Sequence, residues 1–125
     1  MLDSSAILAV ILEELGADLV AENLSAALIS TVNVAETYTI ATHRGLSADL
    51  VRGFLNYQGI EIVPLSPYDA EVAGRMITLT AKSGLSLGDR CCLALGLSRK
   101  AQVLTSDRAW LKFAAPLGID IRAIR

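Results

Sequence analysis

Along the chain, short runs of continuous or alternating apolar residues give way to longer stretches whose apolar residues fall three and four apart, the signatures of strand and helix. Leu2 heads a very short apolar start, and Ser4 to Glu14 reads as a helix. Ala17 to Leu28 forms a second helical stretch, with a candidate short strand at Ile29-Ser30-Thr31-Val32. Asn33 to Arg44 is helical, with Gly45 placed to end it. Ser47 to Tyr57 repeats the arrangement: Ser47 caps, Leu50, Val51, Phe54 and Leu55 form an apolar stripe, and Gly59 follows.

Ile60 to Leu65 is the clearest strand, and Ser66-Pro67 opens a long helix running to Gly84, with Asp69 in its first turn. Ser86 to Lys100 reads as a helix, Gln102 to Thr105 as a strand, Asp107 to Ala115 as a helix and Ile119 to Ile124 as a last strand. Strands separated by helices imply right-handed crossovers, hence an α/β fold with a mainly parallel central sheet and helices on both faces. No repeat, low-complexity tract or linker divides the sequence, so residues 1–125 are read as one domain.

Composition sharpens the picture. The 125 residues are 53% hydrophobic but only 5% aromatic, and the mean hydropathy is +0.49. A small domain this apolar has more greasy surface than one core absorbs, which points to a homodimer or a bound partner. No window is long and uncharged enough to span a membrane, and Met1-Leu2-Asp3 lacks the basic start of a signal peptide. Cys91 and Cys92 are adjacent in a helical pattern and point apart, so they read as small core residues in a reducing cytoplasm. The net charge of −2 argues against a general nucleic-acid coat protein, though a carboxylate-rich metal site with a local basic rim gives the same balance.

Four of the thirteen acids fall in equivalent places. Asp3 follows the first strand, Glu36 lies in the first turn of the helix after the second, Asp89 begins the helix near Ser86, and Asp107 follows the strand ending at Thr105. In open α/β sheets, sites form beyond the carboxyl ends of the strands, where all four belong. Each also has a plainer reading. Asp3 and Asp107 suit helix caps, while Asn33-x-x-Glu36 and Ser86-x-x-Asp89 have capping-box spacing. Collectively they argue for a cation, because carboxylates crowded at one edge repel unless one holds them. Hard oxygen donors select Mg²⁺, with Mn²⁺ as substitute. The single histidine, His43, near a helix end, leaves zinc and histidine-based chemistry without support.

These same residues carry a family resemblance. Leu2-Asp3-Ser4-Ser5-Ala6, Val34-Ala35-Glu36, Leu85-Ser86-Leu87-Gly88-Asp89 and Leu104-Thr105-Ser106-Asp107, in that order and spacing, resemble the PIN domain, specifically the VapC toxins of bacterial toxin–antitoxin pairs. The resemblance implies a Mg²⁺-dependent endoribonuclease that hydrolyses RNA phosphodiester bonds with a metal-activated water, acts as a toxin, and binds a cognate antitoxin. It makes Asp3 and Asp89 metal ligands, with Glu36 and Asp107 completing the acidic pocket, directly or through water. Ser5 and Thr105 become groups that orient the carboxylates or touch substrate. Only two residues precede Asp3, where relatives often have a fuller first strand, which implies a short strand or a start further upstream.

Other residues have competing readings. Arg90 and Arg108, each next to a site acid, are either RNA-phosphate contacts or solvated helix residues. Lys82, Arg99 and Lys100 suit the ends of helix dipoles. Trp110 reads as a core anchor, and the Leu50–Leu55 stripe as core or as a groove for a partner helix. A receiver-type phosphoacceptor switch wants paired acids after the first strand and a Lys after the last, neither of which is present. Phosphatases that use Asp-x-Asp fail at Asp3-Ser4-Ser5. A non-catalytic PIN-like binding module is the remaining alternative.

Overall fold

A computed structural model describes residues 1–125. The sheet is built from four three-residue strands, β1 (Leu28–Ser30), β2 (Glu61–Val63), β3 (Val103–Thr105) and β4 (Ile121–Ala123). β1 pairs in parallel with β2, Leu28 opposite Glu61, and β3 pairs in parallel with β4, Val103 opposite Ile121. The N-terminal residues join the two halves. Leu2 forms a parallel bridge with Leu104, its N–H donates to Leu28 O at 2.8 Å, and Leu104 N–H donates to Met1 O at 2.9 Å. The expected first strand is therefore one bridging residue at the middle of the sheet.

Side chains alternate across this sheet with period two. Met1, Val103, Ile121 and Val63 enter one apolar cluster, while Leu2, Leu104, Ile29 and Ile60 enter another. The first cluster is roofed by α5 (Pro67–Arg75), α7 (Leu87–Arg99) and the Trp110–Phe113 segment. The second is roofed by α1 (Ser4–Ile11), α2 (Ala17–Ala21), α3 (Thr31–His43) and α4 (Ala48–Tyr57). Helices on both faces of a parallel sheet are the α/β architecture the pattern implies. Cys91 and Cys92 are buried free thiols, and Trp110 is fully buried, as their core reading requires. Within the α4 stripe, Val51 and Leu55 are core, Phe54 is half-buried and Leu50 is exposed.

Several elements are shorter or shifted, each for a local reason. The Ala17–Leu28 stretch is helical only to Ala21. Asn23 Nδ2 donates to Leu19 O at 2.8 Å, a 3₁₀ turn follows at Leu24–Ala26, and Leu28 already belongs to β1. The strand expected through Val32 stops at Ser30, because Ser30 caps α3 by accepting from Asn33 N–H at 3.0 Å. The long helix to Gly84 is broken after Arg75 into α5, α6 (Ile77–Thr80) and a 3₁₀ turn at Ala81–Ser83. There, Thr78 Oγ1 donates to Arg75 O and Thr80 Oγ1 to Met76 O, hydroxyls that compete with backbone pairing. The expected helix from Asp107 is a 3₁₀ helix, Arg108–Phe113, followed by α8 (Ala114–Leu117). The three-residue turn places Trp110 and Phe113 on one buried edge.

Candidate metal centre

Asp3 leaves the central position of the sheet and caps α1, its Oδ1 accepting from Ser4 N–H at 2.8 Å. Two hydroxyls hold the other oxygen: Ser5 Oγ donates to Oδ2 at 2.5 Å and Thr105 Oγ1 at 3.1 Å. Both hydroxyls also accept backbone protons across the sheet edge, Ser5 Oγ from Ser106 N–H and Thr105 Oγ1 from Asp107 N–H. Ser5 and Thr105 therefore fix the Asp3 carboxylate and tie it to the end of β3.

Glu36 lies in α3, one turn beyond Asn33. Its Oε2 accepts from Ser4 Oγ at 2.7 Å. Asp89 sits in the first turn of α7, in a capping box with Ser86: its Oδ2 accepts from Ser86 N–H at 2.7 Å, and Ser86 Oγ accepts from Asp89 N–H. The capping role and the site role of Asp89 thus coexist, because a carboxylate has two oxygens. The Asn33-x-x-Glu36 box does not form. Ser30 is the cap, and Glu36 is released to face Asp3.

One carboxylate oxygen each from Asp3, Glu36 and Asp89 lies within 4.8 Å of the others. Asp3 is 4% exposed and the other two are half-buried. Burial, reinforced by the charges of Asp89 and Glu36, pushes the Asp3 carboxyl up to about 6 against the opposing hydroxyl bonds from Ser5 and Thr105. Asp89 is raised too, first by burial and then by Glu36 and Asp107, with the Ser86 bonds opposing. Three carboxylates gathered at one point, two of them with raised protonation ranges and none with a Lys, Arg or His among its hydrogen-bond partners, make a donor set with charge to share. All-oxygen donors of this charge fit a hard divalent cation.

Asp107 stands apart from the three. It is exposed and caps the last 3₁₀ helix, its Oδ1 accepting from Ala109 N–H at 2.8 Å, and its charge reaches the cluster through Asp89. Arg90 turns away from the acids. Its Nη1 donates to Ala73 O at 3.0 Å and Gly74 O at 3.5 Å on α5, so it docks α7 on α5. Arg108 is exposed near the rim, its Nη1 3.4 Å from Arg125 O.

Three contributors escaped the sequence reading. The sequence pattern makes Ser4 a helix start, and its hydroxyl also links Asp3 and Glu36. Asn33 was read as a cap, yet its amide lies among the acids. Gly88 brings the α7 backbone against Glu36, where a Cβ would lie 3.0 Å from Oε2. Only Gly88 left a trace, as a glycine inside the first turn of a helix.

The family model described as PIN domain matches residues 1–116. The chain belongs to the PIN domain family. Members of this family are in general metal-dependent nucleases that bind RNA, and the Asp3–Glu36–Asp89 cluster supplies a place for the metal. No curated protein matches the chain. No helix of this PIN domain is long and apolar enough to cross a membrane.

Proposed function

We propose that this PIN domain is a Mg²⁺-dependent endoribonuclease, with Mn²⁺ able to substitute, and the toxin of a toxin–antitoxin pair acting in a reducing cytoplasm. The observation that carries the nuclease reading is the convergence of Asp3, Glu36 and Asp89 from three separate elements within 4.8 Å. When bound there, the cation supplies charge neutralisation at a phosphate and activation of a water molecule. Asp3 and Asp89 are its ligands, and Glu36 joins them directly or through water. Ser5 and Thr105 keep the Asp3 oxygens aimed, since each hydroxyl is itself anchored by a backbone N–H. Glu36 or Asp107 positions the attacking water or takes its proton.

None of the four surface cavities is lined by these acids. The reading of RNA as substrate rests on the family and on the placing of the acids at the carboxyl edge of the sheet. Exposed Arg108, next to Asp107 in sequence, is the candidate contact for an RNA phosphate. The toxin assignment rests on the four VapC-like motifs. An apolar groove of about 380 Å³ on the α5–α6 side, with Tyr68, Leu79 and Leu97 exposed, supports a homodimer or a cognate antitoxin as partner.

The deciding experiment incubates the partner-free protein with total bacterial RNA and Mg²⁺ or Mn²⁺ and maps new 5′ ends, with EDTA and Asp89→Asn as controls. Discrete cuts that vanish in both controls are expected. Full cleavage by Asp89→Asn overturns the assignment. Metal binding without cleavage of any RNA, including that of the source organism, leaves the non-catalytic binding module.

A further inference from the structure

The side chain that reaches all three acid-bearing segments is not an acid. Asn33 is fully buried in the first turn of α3. Its amide has a fixed orientation, because its backbone N–H donates to Ser30 Oγ at 3.0 Å and the Ser30 hydroxyl donates back to Asn33 Oδ1 at 2.6 Å. With Oδ1 engaged there, Nδ2 faces the acids. It lies 3.5 Å from Asp3 Oδ1, 3.4 Å from Glu36 Oε2 and 3.2 Å from the Gly88 carbonyl oxygen.

An amide nitrogen carries two protons, and here it meets three acceptors. One proton is therefore shared, which matches the long distances to the two carboxylates. The acceptors come from three segments far apart in sequence: the start of α1, the body of α3 and the first turn of α7. The choice of acceptors ties this asparagine to the site. It gives two of its three contacts to carboxylates of the candidate metal centre.

We propose that Asn33 is a positioning residue of that centre, its amide holding Asp3, Glu36 and the α7 turn that carries Asp89 in the cluster in which their oxygens lie within 4.8 Å of one another. The proposal rests on the metal-nuclease reading above. Without the amide, the Asp3 and Glu36 carboxylates are free to splay. The Gly88 carbonyl also loses a partner, and with it the anchor that draws α7 towards α3. Groups that orient metal ligands through hydrogen bonds typically affect metal affinity by about 10–100-fold.

The test measures Mn²⁺ affinity by electron paramagnetic resonance on the full chain, comparing the unmodified protein with Asn33→Leu and Asp3→Asn. Melting of each metal-free protein is followed in parallel. Leu keeps the branched heavy-atom outline of Asn, in a somewhat larger volume, and donates nothing. The expected result is a folded Asn33→Leu protein that binds Mn²⁺ about 10–100-fold more weakly, with an altered spectrum of the bound ion. A lower metal-free Tm with unchanged affinity and spectrum marks an architectural residue and overturns the proposal. Should Asn33→Leu not fold, the side-chain amide resonances of Asn33 in the unmodified protein are followed while Mg²⁺ is added. A shift that saturates with metal occupancy supports the proposal, and resonances unmoved at saturation overturn it. If the unmodified protein binds no Mn²⁺, the metal-centre reading itself falls. If it binds and Asp3→Asn does not, while Asn33→Leu binds normally, only the role of Asn33 falls.

Discussion

The Glu36 carboxylate occupies the space that a side chain at residue 88 would need: a Cβ on Gly88 would lie 3.0 Å from Glu36 Oε2 and 3.3 Å from its Cδ. Helix α7 thus carries in its first turn a residue without a side chain, which lets its backbone close on the acid of α3. Alanine in a helix is favoured over glycine by up to about 1 kcal/mol, and the end of the Glu36 side chain is flexible enough to move aside. Gly88→Ala is therefore expected to melt at the same or a slightly higher temperature while binding Mn²⁺ about tenfold more weakly. Calorimetry of the metal-free protein, paired with a Mn²⁺ titration, checks both halves.

The raised Asp3 carboxyl makes the metal-free protein pH-sensitive in a defined direction. Folding lifts its proton affinity from the ordinary 3.8 to about 6, so the folded state binds more protons than the unfolded state between those values. Stability from this group is fully present below pH 4 and is lost as pH rises through about 6, a span of about 3 kcal/mol at most. Asp89 is raised too and acts in the same sense. Denaturant melts between pH 4 and 7.5 should show the loss, superposed on the other groups' titrations. Saturating Mg²⁺ should restore the lost stability at pH 7.5 and add little at pH 4.5, where protons compete for the same oxygens. RNA cleavage should fall as pH drops below about 6.

Asp3→Asn keeps the cap, since asparagine caps a helix as well as aspartate does, and removes a buried charge. Its metal-free Tm at pH 7.5 should rise, by a few degrees for each kcal/mol gained in a domain of this size. Cleavage and the Mg²⁺-induced Tm shift should both disappear. A Tm that falls instead would show that the Ser5 and Thr105 hydroxyl bonds outweigh the burial of the charge.

The two arginines beside site acids should separate cleanly. Arg90→Ala removes charge-assisted bonds to the Ala73 and Gly74 carbonyls and should cost about 1.5–3 kcal/mol of stability. The salt dependence of RNA binding should stay as it was. Arg108→Ala should leave stability within about 0.5 kcal/mol and lower the slope of log affinity against log salt by about one. Binding titrations across a salt series, together with denaturant melts, distinguish these outcomes.

Asp107→Asn retains an acceptor for Ala109 N–H, so the cap survives. Because Asp107 lies outside the cluster of three, its loss should leave Mn²⁺ affinity within about threefold, less than the 10–100-fold typical of groups that orient ligands. The cleavage rate should fall by at least about tenfold, toward the value of a site lacking a proton acceptor. A parallel fall in affinity would make Asp107 a ligand instead.

What could be read from the sequence was whatever depends on neighbours along the chain. Ser47, Ser66 and Ser86 announce helix starts because a hydroxyl two or three residues before an exposed N–H caps it in any fold. Asp3, Asp89 and Asp107 were legible as site candidates because strand ends and helix starts in a parallel sheet share one edge. Glu36 is a candidate by the same placing, though the cap of its helix is Ser30 and not Asn33. Ser30 and Asn33 are both capping residue types, and only the length of β1, set by its pairing with β2, chooses between them. The breaks after Ala21 and Arg75 were hidden because Asn23, Thr78 and Thr80 act through side chains folded back on their own helix. Ser4, Asn33 and the inward turn of Arg90 were beyond reach, since each acts through a partner distant in sequence.

Residues 1–3 fill the middle of the sheet, between Leu28 and Leu104, and one of the two hydroxyls that steady Asp3 belongs to Thr105, 102 positions later. Asp3 is therefore synthesised 102 residues before the hydroxyl that helps to seat it. Until residue 105 has emerged, no complete centre exists. Before then Asp3 has neither its Thr105 hydroxyl nor its backbone bond to Leu104, so the Asp3–Glu36–Asp89 cluster is assembled only when β3 docks.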